Sequence, residues 1–168
     1  MVGSVKKYIS EAFFILLERK ELAKITVNEL IKKAGVCKAS FYRNFTSYEA
    51  VIDDYLSSFF NEFPLLFSQD SFTMRENVKE MLLYLFSQRK KLNILNKRNL
   101  LYYVEPYIFE KVNYYINTYK EFFNVGNIIF FSGGITALVF NWVKTSFKGN
   151  SDDLTSALIT SVKKNLNR

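Results

Sequence analysis

The chain of 168 residues has the size of one domain, or of a small module fused to a second, and its 49% apolar content is enough for a buried core. It contains no His and a single Cys, Cys37, which excludes His-dependent triads, His-based zinc sites, an internal disulfide and Cys-only metal clusters. The net charge is +7, and residues 1–48 carry +5 of it (nine Lys or Arg against four Asp or Glu), which indicates either an anionic partner or a solvated basic surface.

The first helix is predicted from apolar residues that recur at helical spacing along one face. These residues are Val5, Ile9, Ala12, Phe13, Leu16 and Leu17. Charged residues such as Lys6, Lys7 and Glu11 occupy the rest of the circumference. The apolar run 12–17 is too short for the hydrophobic region of a secretory signal, and a lone cysteine suits a reducing compartment, so we expect a cytoplasmic protein.

Two short helices joined by a turn are predicted next. Thr26 and Glu29 have the spacing of a capping box, which begins the second helix. Gly35 can end that helix after two turns, because glycine adopts positive φ without penalty. A third short helix is predicted from about 38 to 44.

A longer helix then begins at a second capping box, Thr46 with Glu49, and ends or kinks at the Phe63-Pro64 pair. Further helices are predicted over residues 72–89, 99–120, 125–147 and 152–165. Pro106 is expected to kink one of these helices or to start a new one. Ser151 is the predicted N-cap of the last.

The predicted fold class is all-α, with a three-helix N-terminal head over residues 1–47 and a helical body over residues 48–168. No Pro-, Gly- or Ser-rich linker divides the sequence, so the helix that begins at Thr46 is expected to run without a break from head to body. Residues 122–143 carry no charge and are numerous enough to span a bilayer. Their Asn, Ser and Thr side chains favour the alternative, a helix buried in a bundle or a dimer.

Two short helices with a Gly-containing turn in a basic segment are typical of a helix-turn-helix. Phe41 and Phe45 lie one turn apart and are expected to face the core beneath the third helix. The residues predicted to face outwards are Lys38, Ala39, Ser40, Tyr42 and Arg43. The alternative is an ordinary pair of helices with a solvated basic face.

These outward side chains suit the major groove of double-stranded DNA. Arg43 can bond the edge of a guanine with two hydrogen bonds, Ser40 can bond a base or a phosphate, and Ala39 can touch a thymine methyl group. Lys38 and Tyr42 are candidate phosphate contacts. Thr26, at a helix N-terminus, can add a phosphate contact through its hydroxyl and the free amides beside it.

Residues 25–51 resemble the DNA-binding domain of TetR-family (tetracycline-repressor-like) regulators. The similarity lies in a Thr-capped helix, the run Ala34-Gly35-Val36, the run Ser40-Phe41-Tyr42 with Phe45, and a following helix start that contains Glu49. Residues 131–143 are similar to the Gly-rich penultimate helix with a late Trp found in many members.

Two positions depart from the family pattern. Tyr48 stands where the family usually has a phosphate-binding Lys, and it offers one hydrogen bond without a charge. Cys37 stands where Ser or Thr is common, which weakens the expected cap of the third helix. Tyr48 is retained as a DNA-contact candidate, with a lower expected salt dependence of binding.

The resemblance implies a homodimer in which the last two long helices of each subunit form a four-helix interface. The predicted interface residues are Ile128, Phe131, Ile135, Leu138, Val139, Trp142, Leu154, Leu158 and Val162. It also implies a cavity for a small-molecule effector between the middle helices. The predicted lining residues are Phe59, Phe63, Tyr84, Tyr103, Tyr107 and Tyr115, which suit an apolar or aromatic ligand.

The sequence as a whole favours a transcriptional regulator that represses from a pseudo-palindromic operator, with no membrane partner, metal or cofactor. Some family members respond to a protein partner instead of a small molecule, and a dimeric scaffold with a degenerate head is a further alternative. An enzyme is disfavoured, because neighbouring acids such as Asp53 and Asp54 point about 100° apart on a helix and do not share a site.

Overall fold

The computed structural model describes residues 4–62, 74–118 and 125–166, and these form nine α-helices without a strand. The helices are α1 (Val5–Arg19), α2 (Val27–Ala34), α3 (Lys38–Asn44), α4 (Tyr48–Asn61), α5 (Met74–Ser87), α6 (Arg89–Lys97), α7 (Glu105–Thr118), α8 (Val125–Lys144) and α9 (Ser151–Leu166). Two 3₁₀ turns, Leu22–Lys24 and Leu101–Tyr103, precede α2 and α7. The predicted all-α class is confirmed.

The head is built from α1, α2 and α3, which pack around the apolar face expected for the first helix. Ile9, Phe13 and Leu17 are fully buried there, as is Leu30 of α2. Gly35 ends α2 in the left-handed conformation with φ of 67°, as predicted. The turn after Gly35 leads into α3, so α2, this turn and α3 form the helix-turn-helix that the sequence indicates.

The helix α4 begins one residue later than the second capping box predicts. Ser47, not Thr46, is the N-cap, and its hydroxyl accepts a hydrogen bond from the amide of Ala50. The capping-box prediction at Thr46 was therefore wrong, because the cap bond reaches three residues along from Ser47. From there α4 continues to Asn61 and packs against α1 and α7, so head and body share one helix. Phe63 and Pro64 lie outside the described residues.

The body contains α5 to α9, and two of its predicted helices differ from the observed ones in their bounds. The helix predicted over 72–89 breaks at Gln88, and α6 follows as a separate helix over residues that the sequence pattern left unassigned. The helix predicted over 99–120 is shorter and begins at Glu105, so Pro106 starts a helix and does not kink one. Asn150, not Ser151, caps α9, because its side-chain oxygen accepts from the amide of Asp152.

The helices of the body pack in pairs, α7 against α8 and α5 against α9, while α6 contacts α1, α5 and α8. In the described residues one helical segment, Asn127–Lys144, is long and apolar enough by composition to cross a bilayer, and 33% of it is buried. The segment also carries exposed apolar side chains, of which Ile129 and Phe130 are the most exposed, at 69% and 73%.

Candidate DNA-binding surface

The N-terminus of α2 has the geometry of a phosphate-binding helix end. Thr26 is exposed, and its hydroxyl accepts a hydrogen bond from the amide of Glu29 at 3.2 Å, which confirms the predicted cap. The carboxylate of Glu29, expected to reach back to Thr26, lies with both oxygens against Lys20 Nζ, at 2.7 and 3.0 Å. This ion pair partly neutralises the acid that lies beside the free amides of the first turn.

The helix α3 presents most of the predicted contact residues on one exposed surface. Phe41 and Phe45 are 1% and 3% exposed and anchor it to the head, as expected. The exposed side chains of α3 are those of Lys38, Ala39, Tyr42 and Arg43. Ser40 is half-buried, and its Oγ lies 3.2 Å from Cys37 Sγ. Within the described part of the chain no acidic group pairs with the Arg43 guanidinium, which therefore remains available to an external acceptor.

Tyr48 makes contacts within the head that the sequence does not predict. Its hydroxyl donates to the carbonyl of Ile25 at 2.8 Å, and its ring stacks on Phe13 with 5.9 Å between centroids. Burial raises the pKa of Tyr48, with smaller contributions from Tyr42, Glu29 and Glu49. Because the hydroxyl proton is used within the head, the donors left for a phosphate are the free amides of the first turn of α4.

Cys37 occupies the N-cap position of α3 without acting as a cap. Ser4, Thr26 and Ser47 each accept from the amide three residues along, at 3.3, 3.2 and 3.2 Å, whereas the Cys37 side chain makes no such bond. The exposed thiol instead lies beside Ser40, and the hydrogen bond between the two side chains lowers the pKa of Cys37. Sulfur is a weak acceptor, so the first turn of α3 lacks the cap of the other head helices.

We expect Cys37→Ser to stabilise the protein by about 1 kcal/mol, because Ser supplies the missing N-cap acceptor. Urea unfolding followed by circular dichroism measures the change, with Cys37→Ala as the matched control that removes sulfur without adding an oxygen. Equal stability of the Ser and Ala variants would contradict the capping explanation.

Three of the predicted effector residues belong to two stacked aromatic pairs, namely Phe59 and Tyr84 in one and Tyr107 in the other. Phe59 and Tyr84 stack at 4.7 Å, with the Tyr84 hydroxyl bonded to the carbonyl of Phe59 and the carboxylate of Glu62. Burial and the Glu62 carboxylate raise the pKa of Tyr84 to about 12. The ring of Tyr107 stacks on Phe60 at 5.4 Å, and its hydroxyl donates to Asp53 at 2.5 Å.

Two further effector candidates lie in the turn before α7 and on α7 itself. Tyr103 adjoins Tyr102 in the turn before α7, with 4.3 Å between ring centroids, and Tyr115 is half-buried on α7. Phe63 lies outside the described residues. A cavity lined by Phe60, Met81 and Val139, among others, holds about 10 Å³ and so leaves no room for a ligand in this conformation.

The predicted interface residues of α8 and α9 divide between core and surface. Four of them are buried within the subunit, namely Phe131, Val139, Trp142 and Leu158. Three are half-buried, namely Ile128, Ile135 and Leu154. Leu138 is exposed, whereas the Val162 side chain lies outside the described part. The buried residues pack in the subunit core, so the free face of α8 is a different one.

The free face of α8 follows a three- and four-residue spacing that the sequence reasoning missed. It consists of Phe130, Gly134, Ala137 and Asn141, flanked by Ile129 and Leu138, and we call it the α8 seam. All its residues are uncharged, and alternate spacings of four and three residues are typical of helices that pack along one another. Gly133 and Ala137 also line a groove of about 340 Å³ against Phe109 of α7.

An all-helical chain with an exposed α3 in a three-helix head, joined through α4 to a helical body, has the architecture of a helix-turn-helix regulator. Solved structures of other proteins are similar over nearly the whole chain, and three of them are described below. A protein of Syntrophomonas wolfei str. Goettingen assigned to the TetR-family transcriptional regulators is 14% identical, with a TM-score of 0.75 over 98% of this chain and 95% of that one. The dihydroxyacetone kinase operon activator DhaS is 15% identical, with a TM-score of 0.69 over 97% and 96%.

The third is a TetR transcriptional regulator of Streptococcus agalactiae 2603V, 19% identical with a TM-score of 0.63 over 98% of this chain and 94% of that one. No protein-family model and no curated protein matches the sequence. The chain has the fold of the TetR-family transcriptional regulators, as the resemblance of residues 25–51 implies.

Proposed function

We propose that the protein is a cytoplasmic, homodimeric regulator of transcription that reads a pseudo-palindromic operator through α3, with repression as the expected sign. The observation that carries this proposal is the exposed face of α3, where Arg43 lies without an acidic partner among the described residues above a buried Phe41 and Phe45. In this division of the chain, residues 1–47 read DNA, and residues 48–168 dimerise and receive the signal.

The predicted DNA-contact residues have the following proposed roles. Arg43 bonds a guanine edge, while Ala39 and Ser40 approach neighbouring bases. Lys38 and Tyr42 bind phosphates and set the register of α3 in the groove. Thr26 and Tyr48, in the first turns or caps of α2 and α4, add phosphate contacts, Tyr48 through its backbone amide.

The α8 seam is the proposed dimer interface. An isologous interface places the same surface of both subunits together, and an uncharged seam meets its own copy without repulsion between like charges. Burial of Phe130 and Leu138 would also remove exposed apolar area from water. Two heads on one dimer then present two copies of α3 to half-sites about one helical turn of DNA apart.

Effector control is proposed through the aromatic body. Phe59 with Tyr84 and Phe60 with Tyr107 join α4 to α5 and α7, so a small apolar or aromatic ligand that separated these rings would move the helix that leads to the head. A ligand placed at the Phe60 cavity needs the opened conformation, because that cavity is too small to hold it, and it shifts the head only if it binds this conformation more tightly. A protein partner that binds the body would act through the same helices.

The test is DNA binding by fluorescence anisotropy, with a duplex that the wild-type protein selects from a random pool. We expect Arg43→Ala to lose about 1–3 kcal/mol at each half-site, a 5- to 150-fold loss per contact, and to lose selectivity over random duplex. The matched control is Arg75→Ala, an exposed arginine of α5 in the body, which we expect to leave the affinity unchanged. Selection of no duplex, or equal binding by the Arg43 variant, would favour a scaffold with a degenerate head.

A further inference from the structure

The C-terminal carbonyls of α1 are satisfied from the body of the protein. The helix ends at Arg19, and the chain leaves it in an extended conformation at Lys20, with φ of −143° and ψ of 163°. The last carbonyls of a helix lack partners within it. Arg98 supplies hydrogen-bond donors to two of these carbonyls. Its Nε donates to the carbonyl of Leu17 at 2.7 Å, and its Nη2 donates to the carbonyl of Glu18 at 2.9 Å. Its positive charge also favours a helix C-terminus.

The position of Arg98 is set by the way α6 ends. Asn99 adopts the left-handed conformation with φ of 58°, and the amide of Leu100 bonds the carbonyl of Leu95 at 2.8 Å. This six-to-one bond closes the end of α6 without glycine. This turn holds the backbone of Arg98 in a position from which its guanidinium can reach the carbonyls of α1.

A second attachment joins the same two helices seven residues earlier on each. Lys91 Nζ lies 2.6 Å from Glu11 Oε1 and 4.6 Å from the centroid of the Tyr55 ring. The equal spacing from Glu11 to Glu18 and from Lys91 to Arg98 places α1 and α6 side by side in parallel, with attachments about 10 Å apart. The Lys91 pair is half exposed and contributes little alone, but two separated points prevent rotation about either one.

The same end of α6 is also attached to α8. The side-chain amide of Asn96 donates to the carbonyl of Lys144 at 2.7 Å, at the C-terminus of α8. Asn96 and Arg98, two residues apart at the end of α6, thus bond the C-terminal carbonyls of α8 and of α1 respectively.

We propose that α6 fixes the direction of each head relative to the α8 seam, and that Arg98 is the positioning residue of this attachment. The inference rests on the proposed DNA-binding dimer and adds to it what sets the distance between the two heads. The head is joined to the body through α4, which packs against α1, and through the contacts of α6 with α1. The α6 attachment adds a second point that limits rotation of the head about α4, so the two copies of α3 meet half-sites of one spacing.

Cys37 allows a direct test, because it is the one cysteine of the chain and is exposed beside α3. A spin label on Cys37 of each subunit reports the distance between the heads by pulsed electron resonance. We expect a narrow distribution for the wild type and for Arg98→Lys, and a broad one for Arg98→Ala. Arg89→Ala, at the exposed other end of α6, is the matched control and should remain narrow.

The second readout is the preference of the protein for one half-site spacing in the duplex. A loss of stability alone would not change this preference. Two added base pairs rotate one half-site by about 70° relative to the other. We expect the preference of the wild type for its selected duplex over this longer one to fall about fivefold or more in Arg98→Ala. An unchanged distance distribution and spacing preference in Arg98→Ala would refute the positioning role while leaving the DNA-binding dimer intact. A wild type without any inter-label distance would refute the dimer, and this inference with it.

Discussion

Ala137→Glu is expected to convert the proposed dimer into a folded monomer. Ala137 is exposed on the isolated subunit and lies at the centre of the α8 seam, so the substitution disturbs no contact of the subunit core. At a two-fold interface it buries two carboxylates against the same uncharged surface. Each buried, unpaired charge costs several kcal/mol, which is enough to separate an interface of ordinary affinity.

Sedimentation velocity at micromolar concentration measures the change in oligomeric state, and circular dichroism verifies that the monomer is helical. Ala23→Glu, an exposed alanine in the 3₁₀ turn of the head, introduces the same charge away from α8 and should leave the dimer intact. We also expect the Ala137→Glu monomer to bind the selected duplex far more weakly, because one head reads only half of the site. A dimer that survived this substitution would place the interface away from the α8 seam.

The head could be predicted from the sequence in detail because its signals are local. Thr26 and Gly35 are specific cap residues, and the one-turn spacing of Phe41 and Phe45 fixes which face of α3 is buried. The structure bears out each of these expectations. The hydrogen bond of the Tyr48 hydroxyl could not be predicted from the local pattern, because its acceptor, the carbonyl of Ile25, lies 23 residues away in the chain.

The free face of α8 could not be predicted from periodicity. The helix is apolar around most of its circumference, so periodicity predicts an interface at large side chains such as Phe131 and Trp142, although these pack in the subunit core. The outward face is made in part from Gly134 and Ala137, whose small size gives no hydrophobic signal. The packing of α7 and α6 against α8 determines which side remains free.

The division of α5 from α6 was missed for a related reason. The break at Gln88 contains neither Pro nor Gly, and α6 ends at a left-handed Asn99, which no pattern distinguishes from other asparagines. Arg98 was therefore absent from every predicted site. Its role depends on carbonyls 80 and 81 residues away, which only the tertiary structure brings within reach.

Phe41→Ala is expected to lower the free energy of unfolding by about 3–5 kcal/mol, because it removes a ring that is 99% buried at the base of α3. That loss is a large part of the 5–15 kcal/mol typical of a folded domain. The neighbouring Tyr42 is 54% exposed, so Tyr42→Ala provides a matched control on the same helix. We expect Tyr42→Ala to cost at most about 1 kcal/mol, the worth of its edge contact with the Phe41 ring, and to weaken DNA binding.

Urea unfolding at one fixed protein concentration measures both free energies, since dimerisation makes apparent stability depend on concentration. Anisotropy with the selected duplex measures both affinities. The two variants separate the two faces of α3, because the ring of Phe41 lies against Phe45 inside the head while Tyr42 faces outwards. If Tyr42→Ala destabilised the fold as much as Phe41→Ala, α3 would be buried on both faces. It would then have no surface left to enter a groove of DNA.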